Sequence, residues 1–237
     1  MILNKIAGKF QLKIKDRESA GNILGENLKD IVKKQDRKDT FVLGIPRGGV
    51  IIGEIIARKL SCQFDLVISK RLRAPYNDEL AIGAVTEDGT NYLNELVLNA
   101  QKISQEYMES EILHQLEETK RLAHIYHHGN KFFLDHNVIT WKNKTIIIVD
   151  DGVATGSTII ASIRSIRKTK KPKRLIVAIP VSPKGTINLL KNEGIDHIEV
   201  ITSPQNHNFH SIEQYYQNFD QVTDNQVLDI IQSTLRK

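Results

Sequence analysis

The stretch Thr145-Ile-Ile-Ile-Val-Asp-Asp-Gly-Val-Ala-Thr-Gly-Ser-Thr158 constrains this chain more than any other. Four aliphatic residues in a row after a threonine predict a buried strand. That strand delivers Asp150 and Asp151 to its carboxyl end, where open α/β sheets hold their ligands. A loop of small residues follows, and a helix is predicted from about Gly156 to Lys168. The start of such a helix offers unpaired backbone N–H groups and the positive end of a dipole, a ready site for a phosphate. Gly152 and Gly156 permit close backbone approach, and Thr155, Ser157 and Thr158 add hydroxyl donors. Two carboxylates beside a phosphate cradle repel one another and the anion unless something neutral or cationic lies between. A ribose with free hydroxyls, together with Mg²⁺, meets that requirement.

The rest of the chain alternates in the same sense. Apolar spacing predicts a helix from Arg17 to Lys34, a strand from Thr40 to Ile45, a helix from Val50 to Leu60 and a strand from Phe64 to Ser69. Ala81–Thr86 and Asn91–Leu93 flank Glu87-Asp88-Gly89, whose Asp-Gly step signals a hairpin. Further strands are expected at 174–179 and 197–201, with a helix at 186–192 between them. Repeated strand–helix alternation argues for an α/β fold with a mainly parallel sheet covered by helices on both faces. A helical stretch from about Leu96 to Tyr126 interrupts the alternation. The expected organisation is one domain over 1–237, with a helical insertion at about 96–140 and a small C-terminal hood at about 203–224.

Two upstream segments should reach the same sheet edge. Gly44-Ile45-Pro46-Arg47-Gly48-Gly49 ends the first predicted strand and opens a helix. Its arginine can present a forked donor to a diphosphate, and its glycines bring the backbone close. Lys70-Arg71-Leu72-Arg73 then follows the next strand and leads through Pro75 into a polar turn. This reads as a loop carrying three cations.

These residues together carry a resemblance. Val-Asp-Asp-Gly-x-Ala-Thr-Gly-x-Thr resembles the PRPP-binding signature of type I phosphoribosyltransferases, which use 5-phosphoribosyl 1-diphosphate as donor. The resemblance implies a Rossmann-like fold of that family. It implies that Asp150 and Asp151 hold the ribose hydroxyls, and that Ala154, Thr155, Gly156, Ser157 and Thr158, with Gly152 and Val153 leading in, hold the 5′-phosphate. Gly44 to Gly49 is similar to the family's pyrophosphate loop, which assigns the leaving group to Ile45, Pro46, Arg47, Gly48 and Gly49. Lys70 to Ala84 occupies the place of the family's mobile loop, so Lys70, Arg71 and Arg73 are expected to meet the departing pyrophosphate. Asp16-Arg17, Leu80-Ala-Ile-Gly-Ala-Val85 and the tail from Phe209 to Tyr216 resemble a subgroup described as predicted phosphoribosyltransferases.

The activity so implied is Mg²⁺-dependent transfer of ribose 5-phosphate to a nitrogenous acceptor, a nucleobase or similar heterocycle, with release of pyrophosphate. Asp150, Asp151, Arg47, Lys70 and Arg71 are the catalytic candidates. Mg²⁺ is expected at Asp150 and Asp151, mostly through PRPP and water. The acceptor is expected under the hood, where Phe209, Tyr215, Tyr216 and Phe219 offer stacking surfaces and Asn206, His207, Asn208 and Asp220 offer hydrogen bonds. Purine-type transferases place a lysine and an aromatic after the 174–179 strand, and Pro180-Val-Ser-Pro-Lys184 departs from that pattern.

Composition closes off other classes. Cys62 is the only cysteine, so no intramolecular disulfide and no paired-cysteine metal site exist. His124, His127 and His128 lie close together but lack a patterned carboxylate or cysteine beside them. No run approaches a membrane span or a signal peptide, and a cytoplasmic location is expected. The net charge of +5 suits an anionic small substrate. Much of the excess sits in Arg164, Arg167, Lys168, Lys170, Lys171, Lys173 and Arg174. No aromatic residues interleave with them as stacking platforms for nucleic acid. A PRPP-sensing regulator that binds nucleic acid on the same fold is the alternative, supported only by that run. A phosphohydrolase would need further acidic ligands at recognisable spacing. The insertion is expected either to cover the site or to form a homodimer contact.

Overall fold

The computed structural model of the protein describes residues 13–127 and 141–235. The first helix, α1 (Arg17–Ile31), is capped by Asp16, whose carboxylate accepts from Ser19 N at 2.7 Å. It buries Ala20, Leu24 and Leu28 against α2 (Gly48–Leu60), and a Cβ at Gly21 would meet Ile55 Cβ at 2.9 Å. Between them runs β1 (Thr40–Gly44), and α2 leads on to β2 (Gln63–Leu66).

With β6 (Thr145–Val149), β7 (Arg174–Val181) and β8 (His197–Thr202), these strands form a five-stranded parallel sheet in the order β2-β1-β6-β7-β8. Helices α5 (Ser157–Lys170) and α6 (Lys184–Asn192) make the crossovers. Strand pleating sorts the side chains. Val42, Ile147 and Val149 pack with Leu24, Ile52 and Ile56, whereas Leu43, Ile146 and Ile148 pack with Ile159 and Ile163. The expected parallel sheet with helices on both faces is the one observed.

Register sets the site. Gly44 pairs with Val149, so β1 and β6 end side by side. Ile45 N then donates to Val149 O at 2.9 Å, holding the two following loops together. Gly49 seals the junction, because a Cβ there would come within 2.5 Å of Val149 O.

The segment expected as a loop from Lys70 to Ala84 is largely strand. β3 (Ser69–Ala74), β4 (Asn77–Thr86) and β5 (Asn91–Leu93) form a separate antiparallel sheet in that order. Leu72 and Ala74 are buried while Arg71 and Arg73 are exposed, a period-2 pattern masked in sequence by the density of cations. Only Pro75 and Tyr76 remain between the strands, with Tyr76 at φ 71°. Helices α3 (Glu95–Gln101) and α4 (Gln105–His127) cover this sheet, Leu98, Tyr107, Ile112 and Leu116 packing on Leu72, Ile82 and Val85. The part of the expected insertion from 128 to 140 lies outside the described residues.

After β8 the chain makes two short 3₁₀ turns, Asn206–Asn208 and Glu213–Tyr215, and a bridge between Tyr216 and Ile14. It ends in α7 (Asp224–Leu235), which sequence reading did not anticipate. Val227 and Ile231, one helical turn apart, pack with Val50, Leu66, Ile68 and Tyr126. No helix among the described residues is long and apolar enough to cross a membrane.

Candidate active site

A cleft of about 680 Å³ opens at the carboxyl ends of β1 and β6. Its floor is the loop from Asp150 to Gly156 and the start of α5 at Thr158. Gly156 has φ 84°, a left-handed conformation that glycine adopts without strain as the loop turns into the helix. The loop is pinned from behind: Val153 N donates to Val181 O at 2.9 Å, and Thr186 Oγ1 donates to Ala154 O at 2.6 Å. Ser157, in contrast, is buried with its hydroxyl 3.1 Å from Thr155 Oγ1, and it does not line the cleft.

The acidic pair is asymmetric. Asp150 accepts from Asp151 N at 2.8 Å, and burial, then the neighbouring Asp151 carboxylate, push its carboxyl well above the usual range. Arg71 offsets this only in part. Asp151 is instead held by Arg17, whose Nε lies 2.8 Å from Oδ2. The same guanidinium stacks 3.9 Å over the Phe219 ring and donates to Asp220 O at 2.7 Å. Tyr216 hydroxyl donates to Asp151 O at 2.8 Å. A Cβ on Gly48 would fall 1.8 Å from Asp151 Oδ2, so only glycine fits between the pyrophosphate-loop candidate and the acidic pair.

Cations line the other end. Arg47 follows Pro46 through a cis peptide bond, and its side chain lies 3.9 Å from Asp224. Asp224 in turn accepts from the Tyr126 hydroxyl at 2.6 Å. Lys70, Arg71 and Arg73 reach the same cleft from β3, not from a loop, and Arg121 reaches it from α4. Burial lowers the Lys70 ammonium, Glu118 raises it, and the neighbouring Arg73, Arg121 and Arg47 lower it further.

Of the residues singled out in the sequence, Pro46, Arg47, Gly48, Lys70, Arg71, Arg73, Asp150 to Gly156 and Thr158 meet in this cleft. Ile45 and Gly49 are buried behind it. Phe209 and Tyr215 do not line it: they stack on each other at 5.8 Å, and Tyr215 is core. Their place is taken by Ile212, Phe219, Gln221 and Val222. The path of the tail decided this, since the chain crosses the core at Tyr215 and Tyr216 and returns to the cleft at Phe219. Arg121, Tyr126 and Asp224 carried no signal of their own, being ordinary polar positions on or beside amphipathic helices.

The three arginines of the basic run are engaged within the fold. Arg164 makes a forked pair with Glu193 at 2.8 and 3.1 Å, Arg167 donates to Glu193 O and Gly194 O, and Arg174 donates to Ile31 O. His124 is exposed on α4, and the side chains of His127 and His128 lie outside the described residues.

Comparison with known proteins bears on this geometry. The family described as "Phosphoribosyl transferase domain" matches residues 11–216. The chain is 29% identical over 213 residues to "Putative phosphoribosyl transferase MT0597" of Mycobacterium tuberculosis, a match covering 90% of this chain and 45% of that protein. The same values hold for "Putative phosphoribosyl transferase Rv0571c" from a second strain of that organism. The chain thus spans about half the length of the curated relatives it matches. Among solved structures, TT1426 from Thermus thermophilus superposes with a TM-score of 0.70 at 31% identity, over 93% of this chain and 98% of that one.

Proposed function

The chain belongs to the phosphoribosyl transferase domain family, and from that premise we propose that it transfers ribose 5-phosphate from PRPP to a nitrogenous acceptor, a nucleobase or similar heterocycle. One observation carries the reading. An acidic pair and a helix-start phosphate cradle share a single cleft with a ring of cations. PRPP has the matching order of parts: a monophosphate, a ribose with two hydroxyls and a diphosphate.

In this reading the backbone amides from Ala154 to Thr158 hold the 5′-phosphate, and Asp150 and Asp151 accept from the ribose hydroxyls. Arg47, Lys70, Arg71 and Arg73, with the backbone around Pro46 and Gly48, surround the diphosphate. The acceptor nitrogen forms a bond to C1 of the ribose as the bond from C1 to the diphosphate oxygen breaks. The electron pair leaves with pyrophosphate, and the acceptor gives up its proton. Cationic side chains stabilise the charge that develops on the leaving group, and the fixed floor of the cleft aligns the two reacting atoms. No side-chain nucleophile is needed.

A divalent cation fits the donor set. Two adjacent carboxylates face the cleft, Asp150 is destabilised by burial and by its neighbour, and of the two it is Asp151 that pairs with Arg17. Mg²⁺ would be held there, mostly through PRPP and water, and would supply charge neutralisation for the diphosphate. For the acceptor, Ile212, Phe219 and Val222 offer an apolar wall of the kind a planar ring requires.

Calorimetric titration with PRPP, with and without Mg²⁺, tests the reading on wild type and on an Asp150→Asn/Asp151→Asn double variant. The expected result is metal-dependent binding that the double variant loses. A folded wild-type protein that does not bind PRPP would sink the proposal.

A further inference from the structure

We propose that α4 supplies a ligand-binding arginine, Arg121, to the diphosphate end of the cleft. This rests on the phosphoribosyl-transfer reading above. The sequence singled out Arg47, Lys70, Arg71 and Arg73 for that end and gave α4 no chemical part in it.

Arg121, Leu122 and Tyr126 bring one face of α4 to the cleft wall. Around Tyr126 the structure gathers Arg47, Arg121 and Asp224, and around Lys70 it gathers Arg47, Arg73 and Arg121. Arg121 therefore belongs to the same cationic group as the pyrophosphate-loop arginine, although 74 positions separate the two in sequence (121 − 47).

The helix is fixed on two sides. Towards the small sheet, Glu111 accepts from Arg73 N at 2.9 Å and the Tyr107 hydroxyl donates to Arg73 O at 3.1 Å. Towards α7, the Tyr126 hydroxyl donates to Asp224 at 2.6 Å, and Leu122 and Ala123 pack with Val50 and Val222. The backbone that carries Arg121 is thus held against both β3 and the tail.

The cations have exposed competitors. Arg73 pairs with Asp78 at 3.6 Å and Arg47 with Asp224 at 3.9 Å, whereas Arg121 makes a forked pair with Glu118 at 3.0 and 3.1 Å, each arginine side chain being 42–53% exposed. Long exposed pairs contribute little to stability, and solvent screens the Glu118 pair as well, so a more highly charged diphosphate competes with these partners. A diphosphate offers several oxygens close together, and a planar guanidinium can take two of them at once. Several like charges converging on one opening favour a polyanion over a singly charged ligand.

The test uses inorganic pyrophosphate and ribose 5-phosphate as separate probes, each titrated with Mg²⁺ into wild type, Arg121→Ala and Arg121→Lys. Arg121→Ala is expected to weaken pyrophosphate about tenfold, in keeping with loss of a charge-assisted contact. Ribose 5-phosphate should stay within about twofold, and Arg121→Lys should fall between wild type and Arg121→Ala. Pyrophosphate affinity unchanged in Arg121→Ala overturns the assignment. So does a parallel loss for both probes, which would mean that Arg121 acts through the fold. A wild-type protein that binds neither probe overturns the assignment and the transfer reading together, whereas either result above overturns the assignment alone.

Discussion

At one end of the cleft, Asp150 to Thr158 bring two carboxylates, a glycine turn and a helix start from one unbroken segment. At the other end, Arg47, Arg73 and Arg121 arrive from a loop, a strand and a helix, and Asp224 from the start of the last helix. The first end is backbone-built. Its shape follows from a strand ending, a φ of 84° at Gly156 and hydrogen bonds from Val153 N and Thr186 Oγ1. The second end is side-chain-built, from members that are themselves distant in sequence. Damage to the first end should therefore be large and local, and damage to the second should come in modest increments.

Gly48 sits where the two ends meet, so it offers the severest test. A methyl group there would collide with Asp151 Oδ2 at 1.8 Å and crowd Arg17 Nε at 2.9 Å. Gly48→Ala is expected to weaken Mg²⁺-dependent PRPP binding by about 100-fold or more, the scale on which small misplacements act. Affinity within a few-fold of wild type would break the view that Asp151 must hold its observed position.

Arg17→Ala asks how far the tail supports the backbone-built end. It removes the 2.8 Å partner of Asp151 and the stack on Phe219. Binding of PRPP should fall about tenfold, as for loss of a charge-assisted hydrogen bond. An unchanged affinity would show that the acidic pair keeps its geometry without the Arg17 bridge to the tail.

A pH series probes the junction between the main sheet and the small one. Burial pushes Asp65 up to about 8 and Glu87 up to about 7, each carboxylate disfavoured inside the fold. Because the folded state holds these protons more tightly than the unfolded chain, their stabilising effect is complete below the ordinary carboxylate range. It is lost as pH rises towards those values. Melting temperature should fall between about pH 5 and pH 8, the interval set by ordinary carboxylate ionisation and the raised values. Asp65→Asn retains an oxygen for Leu66 N, which now donates at 2.6 Å, and should flatten that slope. At about pH 8 it should be more stable than wild type by on the order of 1 kcal/mol. A parallel slope in the variant would remove Asp65 from the account.

The mildest change is Tyr126→Phe, which deletes one 2.6 Å hydrogen bond to Asp224 and leaves the ring packed. Pyrophosphate affinity should drop about two- to fivefold, as fits one hydrogen bond acting through a neighbour. A loss as large as that of Gly48→Ala would erase the distinction between the two ends.

Much of this was legible before any coordinates. Thr145 to Val149 announced a buried strand because a short, continuous and β-branched run followed at once by polar and glycine residues suits a covered sheet better than a helix. Asp150 and Asp151 then had to appear at its carboxyl end, and Gly156 at the turn. The Asp-Gly step at 88–89 gave the β4–β5 hairpin. The β3 strand escaped sequence reading because alternating Lys and Arg resemble a solvated loop, although Leu72 and Ala74 mark the buried face. Aromatic character alone assigns Phe209 and Tyr215 to the cleft, which they do not line. Which face an aromatic presents depends on how an irregular tail crosses the core, and such a tail has no fixed period to count.

The sequence by itself determined the fold class, the parallel strands and the floor of the cleft, because those features depend on local propensity and on residues within a few positions of one another. Only the tertiary structure decided that Arg17 holds Asp151, that Arg121 and Asp224 stand beside Arg47, and that Phe219 replaces Phe209 at the wall. Such pairs form when helices and a tail separated by many residues pack on a common core. Their geometry is fixed by the sum of that packing and by no motif that any one of them carries.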